Sequence, residues 1–146
     1  DINIAVDTSG FVKRDAIDKI ISYTDTFLFD IKAIDEDVHI ACTGVSNTLI
    51  LENIKYVNSL GIPMEIRYPY IPTMNDDQAE KIAYFVKELK TVKCLRILPY
   101  HNYAETKYSS IGFSFVDFPV PTKSEILSVL NKMKQCGVKN AQCFDE

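Results

Sequence analysis

Short apolar runs alternate along this chain with segments whose apolar residues recur at helical spacing. The strand-like runs cover 2–6, 26–31, 64–71 and 94–98. After the first, Ile17, Ile20 and Ile21 share one face of a predicted helix over 14–23. Ile50, Leu51, Ile54, Val57 and Leu60 do the same over 47–60, and Gly61 behind them tolerates the left-handed backbone that stops a helix. A third helix over 76–89 carries Ile82, Phe85, Val86 and Leu89, with Asn75 as its cap and Asp76 and Asp77 complementing its positive end. The last runs from Lys123 to Cys136, opened by Thr122 and Glu125 in capping-box spacing and closed by Gly137, with Ile126, Leu130 and Met133 on one face. From His101 to Val120 the pattern is irregular and aromatic and is ended by Pro119 and Pro121, which predicts an extended loop of the kind that often carries function. The βαβαβα order predicts an α/β fold with about four parallel strands and flanking helices.

Nothing divides residues 1–146, so one domain is expected. Four parallel strands leave two open edges, which fits the C-terminal part of a partial barrel better than a self-sufficient sheet. The sequence opens on Asp1 almost directly into a strand, without signal-peptide anatomy, and so reads as cut from something longer. Self-association through the exposed edges is the corollary. A net charge of −4 without a basic patch argues against nucleic acid, and no apolar run approaches the roughly 20 residues of a membrane helix. Cys42, Cys94, Cys136 and Cys143 show no metal-binding or disulfide spacing and read as reduced thiols, which points to the cytoplasm.

The candidate chemistry lies where strands end. Asp30 and Lys32, two residues apart at the end of Phe27-Leu28-Phe29, share a face. The other runs end in Asp7-Thr8, in Arg67-Tyr68 and in Pro99-Tyr100-His101. Side chains at the carboxyl ends of parallel strands line the binding cleft, so Asp7, Asp30, Lys32, Arg67 and His101 are expected on one rim. Singly, each is also what a strand end looks like where core meets water. Lys32 has two sharper readings, a Schiff-base nucleophile or a fixed cation for a ligand; Asp30 beside it disfavours the first by stabilising the ammonium. Arg67 is suited to bidentate recognition of a carboxylate, or else to a salt bridge with Asp7 or Asp30. His39 sits between polar residues and reads equally as a loop surface residue. Thr43-Gly44-Val45-Ser46-Asn47 reads as a turn and a helix cap.

Taken in order, Asp7-Thr8-Ser9-Gly10, Asp30-Ile31-Lys32, His39, Thr43-Gly44-Val45-Ser46-Asn47, Arg67-Tyr68-Pro69 with Ile71-Pro72 and Asn75-Asp76, Leu98-Pro99-Tyr100-His101 and Lys107-Tyr108 resemble the glycyl-radical-enzyme activating enzymes, the pyruvate formate-lyase activating enzyme family. The resemblance covers nearly the whole chain. It implies a radical S-adenosylmethionine enzyme built as a partial (βα)6 TIM-like barrel, of which this chain matches the last four strands. It implies S-adenosylmethionine bound across the strand ends, with Asp30, Ile31 and Lys32, His101 and Arg67 as cofactor-binding residues. Asp7, Thr8 and Asp30 match a candidate monovalent-cation site. The implied partner is a glycyl radical enzyme similar to pyruvate formate-lyase, whose backbone glycine loses a hydrogen atom to a 5′-deoxyadenosyl radical.

The chain departs from that pattern in lacking the CxxxCxxC motif for a [4Fe–4S] cluster and the Gly-Gly-Glu stretch that holds the methionine end. The cluster is therefore expected only in the full-length protein, and this chain alone is expected to carry no catalytic residue and to be inactive. Smaller departures are Thr73 where glycine is usual after Ile-Pro, Ala104 after the Pro-Tyr-His block and Ile111 before Gly112. Two other readings stand beside the activase: a cluster-less module that binds a glycyl radical enzyme, and an aldolase-like enzyme using Lys32.

Overall fold

The computed structural model describes residues 2–143, except for the side chain of Glu105; Asp1 and the last three residues lie outside that description. The elements run β1 (Ala5–Thr8), α1 (Arg14–Ile20), β2 (Thr26–Asp30), α2 (Glu36–Thr43), α3 (Thr48–Ser59), β3 (Met64–Tyr70), α4 (Ala79–Lys87), β4 (Val92–Pro99), α5 (Glu105–Ser110), α6 (Lys123–Gln135) and β5 (Ala141–Cys143). Short 3₁₀ turns at Ile21–Tyr23 and Asp76–Gln78 extend α1 and open α4. All five strands are parallel and lie in chain order, β1-β2-β3-β4-β5.

Strand alternation divides the sheet into two chemically different faces. Phe27 and Phe29 of β2, Met64, Ile66 and Tyr68 of β3, and Leu95 and Ile97 of β4 are fully buried. They share one core with Ile17, Ile50, Ile54, Val57, Ile82, Val86, Leu130 and Met133 from the helices. The apolar residues read at helical spacing are thus the ones that cover this face. The residues between them, Asp7, Leu28, Asp30, Glu65, Arg67 and Arg96, point to the other side, where most of the side chains are charged.

Three elements differ from expectation. The fifth strand, β5, lies too close to the chain's end to show a period, and only pairing with Leu95–Ile97 defines it. The helix α2 occupies residues read as a loop, because its charges at Glu36 and Asp37 face outward while His39 turns inward. Within the aromatic segment after His101, residues Glu105–Ser110 form α5 rather than a continuous loop. The capping box of α6 is present as read: Glu125 donates its backbone N–H to the Thr122 hydroxyl, and its carboxylate accepts the Thr122 N–H at 2.7 Å.

Candidate functional site

Four of the five rim residues meet in one network. Asp30 and Arg67 are register partners on β2 and β3, and the Arg67 Nε donates to Asp30 at 2.9 Å. The terminal nitrogens of Arg67 engage both carboxylate oxygens of Asp7, with Nη1 at 2.9 Å. Lys32 donates to the second oxygen of Asp30 at 2.8 Å. The chain of charges runs Asp7, Arg67, Asp30, Lys32 and sums to zero. Burial disfavours the Arg67 cation, yet its hydrogen bonds to Asp7 and the charge of Asp30 outweigh that and raise its pKa. Asp7 is the outermost member, with its side chain 62% exposed against 24% for Asp30.

Lys32 sits on a turn fixed by three buried amide side chains. The Asn75 Nδ2 donates to the carbonyls of Lys32 and Pro69 at 2.8 Å each, and its Oδ1 accepts the Ile71 N–H. Asn47 donates to the carbonyls of Ala33 and Ile34 at 3.0 and 2.8 Å. Gln78 accepts the N–H groups of Ile34 and Asp35, both at 3.1 Å. Asn75 therefore does not cap a helix, as its position suggested: its amide spans the ends of β2 and β3. Asn47 likewise sits at the start of α3 without a side-chain cap bond. These roles have no signature in the sequence, because an amide that satisfies non-local backbone leaves no local spacing signal, and that holds for Gln78 as well. Gly44, at φ +80°, ends α2 as the turn reading implies.

His39 corrects the surface reading. It lies in α2 at 1% exposure, and neither ring nitrogen has a hydrogen-bond partner among the described residues. Burial, and after it the charge of Lys32, pushes its pKa down. The Thr8 hydroxyl accepts the Gly10 N–H at 3.0 Å, and strand alternation turns that side chain away from Asp7. Gly10 adopts φ +74°, and a Cβ there would crowd the Phe29 ring at 3.0 Å. Asn53 of α3 holds this turn by donating to the Gly10 and Val12 carbonyls.

His101 follows β4 on the same rim but outside the charge network. Its ring stacks on Tyr103 with centroids 4.3 Å apart, beside a cleft of about 590 Å³ lined by Leu98, Pro99, Tyr100, Val120, Pro121 and Ile126 among others. An ionic network that offers both signs and an aromatic cleft suit a ligand with a zwitterionic head and a flat ring. S-adenosylmethionine has both, so the residues present fit it. Cys94 and Cys143 are buried and Cys42 and Cys136 partly exposed, and among the described residues no three His, Cys, Asp or Glu side chains are grouped to hold a metal. The space between Asp7 and Asp30 that a monovalent cation would take holds the Arg67 guanidinium.

No family model matches the sequence. Among solved structures, a domain of the pyruvate-formate lyase-activating enzyme of Bacteroides vulgatus superposes with a TM-score of 0.80 at 25% identity, over 97% of this chain and 81% of that one. Streptococcus suis SuiB, solved bound to S-adenosylmethionine, superposes with a TM-score of 0.76 over 97% of this chain and 33% of its own length; at 15% identity it shows the fold alone. The sheet and its helices are those of a radical S-adenosylmethionine partial-barrel domain. Among curated proteins, the chain is 41% identical over 114 residues to the trans-4-hydroxy-L-proline dehydratase activating enzyme of Clostridioides difficile, which covers 75% of this chain. It is 31% identical over 144 residues to the pyruvate formate-lyase 1-activating enzyme of Escherichia coli K12, which covers 94% of this chain. The chain belongs to the family of glycyl-radical-enzyme activating enzymes. It spans 37% and 58% of the lengths of these two relatives.

Proposed function

We propose that this chain is the S-adenosylmethionine-binding and target-facing part of an activase that generates a glycyl radical on a partner enzyme similar to pyruvate formate-lyase. The observation that carries this reading is the Asp7–Arg67–Asp30–Lys32 network on the same rim as the His101 cleft, in a chain of this family. Asp30 accepts the ligand's ammonium, while Lys32 and Arg67 hold its carboxylate. His101, with Tyr100 and Tyr103, shelters the adenine. Each nitrogen of Arg67 already donates to a carboxylate, so a ligand carboxylate that takes both terminal nitrogens enters by replacing Asp7, the more exposed partner. A monovalent cation between Asp7 and Asp30 becomes compatible with the site once Arg67 has turned to the ligand, while the Thr8 hydroxyl, held on the opposite face by the Gly10 N–H, is not among its ligands. When bound beside a cluster held by another part of the protein, S-adenosylmethionine supplies the radical that takes a hydrogen atom from the target. This chain's residues orient the ligand and leave the cluster to that other part.

The chain alone therefore binds ligand without turnover. The four free thiols suit a reducing compartment such as the cytoplasm. Among the described residues no helix is long and apolar enough to cross a membrane. A Schiff-base role for Lys32 has no support, because its amine is held by Asp30 at 2.8 Å rather than left free to attack a carbonyl.

Calorimetric titration of the chain with S-adenosylmethionine tests the reading. Loss of one charge-assisted hydrogen bond, at about 1.5–3 kcal/mol, should weaken binding at least about tenfold in D30N and in K32M. Variants that bind as tightly as the parent chain would remove the assignment. Incubation with iron and sulfide should yield no stable iron–sulfur chromophore; its appearance would show that this chain does ligate a cluster.

A further inference from the structure

One row of the polar face contains a second arginine that the proposed cofactor site leaves unused. Register pairs Asp30 with Arg67, Arg67 with Arg96, and Arg96 with Gln142, so four strands place these side chains side by side. Arg96 is held side-on by Glu65: Nε donates to one carboxylate oxygen at 2.7 Å and Nη2 to the other at 3.0 Å. Both side chains are about three-quarters buried or more, at 25% and 19% exposure. This geometry aims the guanidinium and leaves its remaining edge, Nη1, without a partner among the described residues. The neighbouring Gln142 is exposed, and its amide is equally unpartnered among them.

We propose that Arg96 and Gln142 form a specificity-determining subsite that grips a neutral peptide group of the activase's polypeptide target. The proposal rests on the reading that the target is a polypeptide, and deepens it. A peptide group presents one carbonyl acceptor and one N–H donor. The free Arg96 edge donates, and the Gln142 amide can both donate and accept. Glu65 decides between neutral and charged ligands. It already neutralises Arg96 and raises its pKa through their hydrogen bond, so a second carboxylate would meet an anion instead of an uncompensated cation. Arg67, one strand away, is satisfied by two carboxylates and lacks a comparable free edge.

The test is a titration of the ¹⁵N-labelled chain with N-acetyl-triglycine amide, a neutral probe, and separately with acetate. The Arg96 Nε–H and Gln142 side-chain amide resonances should move saturably with the peptide amide and not with acetate. R96K keeps the charge opposite Glu65 but loses the planar edge, and Q142A removes an exposed side chain; each should weaken the peptide response about fivefold, the worth of roughly one hydrogen bond. E65Q leaves Arg96 uncompensated and should gain an acetate response at the same resonance. Acetate shifting the parent chain as strongly as the peptide, or R96K and Q142A responding like the parent, would overturn the proposal. Titration of the same sample with S-adenosylmethionine separates the two levels. A chain that binds this ligand but shows no peptide shift overturns the Arg96–Gln142 subsite alone, and one that binds neither overturns the functional reading as well.

Discussion

Thr73 holds its backbone at φ +66° with a β-branched side chain, a conformation that L-residues other than Gly, Asn and Asp rarely adopt. The family resemblance implies glycine at this position, and the left-handed backbone is a physical reason for that preference. Replacing it by glycine removes strain of about 1–2 kcal/mol, offset in part by the entropy glycine adds to the unfolded chain. T73G should therefore be more stable by about 0.5–1 kcal/mol in chemical denaturation, and a destabilised variant would show that the threonine side chain compensates for its backbone. Asn75 works in the opposite direction. Truncation to alanine takes the Asn75 amide away from the partly buried Lys32 and Pro69 carbonyls and the Ile71 N–H. N75A should cost about 3 kcal/mol or more and weaken S-adenosylmethionine binding, since the turn that carries Lys32 loses one of its three ties. At His39 the sign of the pH effect is fixed by its lowered pKa. The unfolded state binds a proton that the folded state refuses, so stability falls as pH drops below the ordinary imidazole value of 6.5 and levels off below the folded value. H39L removes that slope, because leucine has no proton to bind in either state. Denaturation curves between pH 8 and pH 5 check both statements.

At the scale of elements, helices with a local signal were legible and those without one were not. The capping box of α6 is set by four consecutive residues, and it formed as read. T122A should destabilise the chain by about 1 kcal/mol, measured in the same denaturation curves; T122S should recover most of it. By contrast α2 is short, and none of its apolar residues Val38, Ile40, Ala41 and Cys42 is buried, so its burial of His39 came from the tertiary fold rather than from any period in the sequence. The strand ends were legible because Asp7, Asp30 and Arg67 interrupt apolar alternation. Arg96 and Glu65 interrupt it equally, but each has an apolar residue on either side within its own strand, where a charge reads as a departure rather than as a site.

The whole molecule is a sheet with helices on one face and charge on the other, and β1 has no strand beyond it among the described residues. Ile2 and Ile4 are 89% and 44% exposed near that edge. An uncovered edge with apolar neighbours invites pairing, so the chain should self-associate in sedimentation as concentration rises. A monodisperse monomer at high concentration would show that the edge is protected by means other than a neighbouring strand. Which residues share the rim was predictable from topology, since parallel strands deliver their carboxyl ends together; how they pair was not, because the Asp7–Arg67–Asp30 bridge depends on register. The chain-order sheet has one more consequence, and it concerns synthesis. Each strand pairs with the strand made just before it, and no strand is inserted between two existing ones. Docking of each new strand can begin as soon as it leaves the ribosome, without waiting for a distant segment, and the loop to be closed at every step is a single crossover of one or two helices. Assembly can therefore follow translation strand by strand, from β1 towards β5.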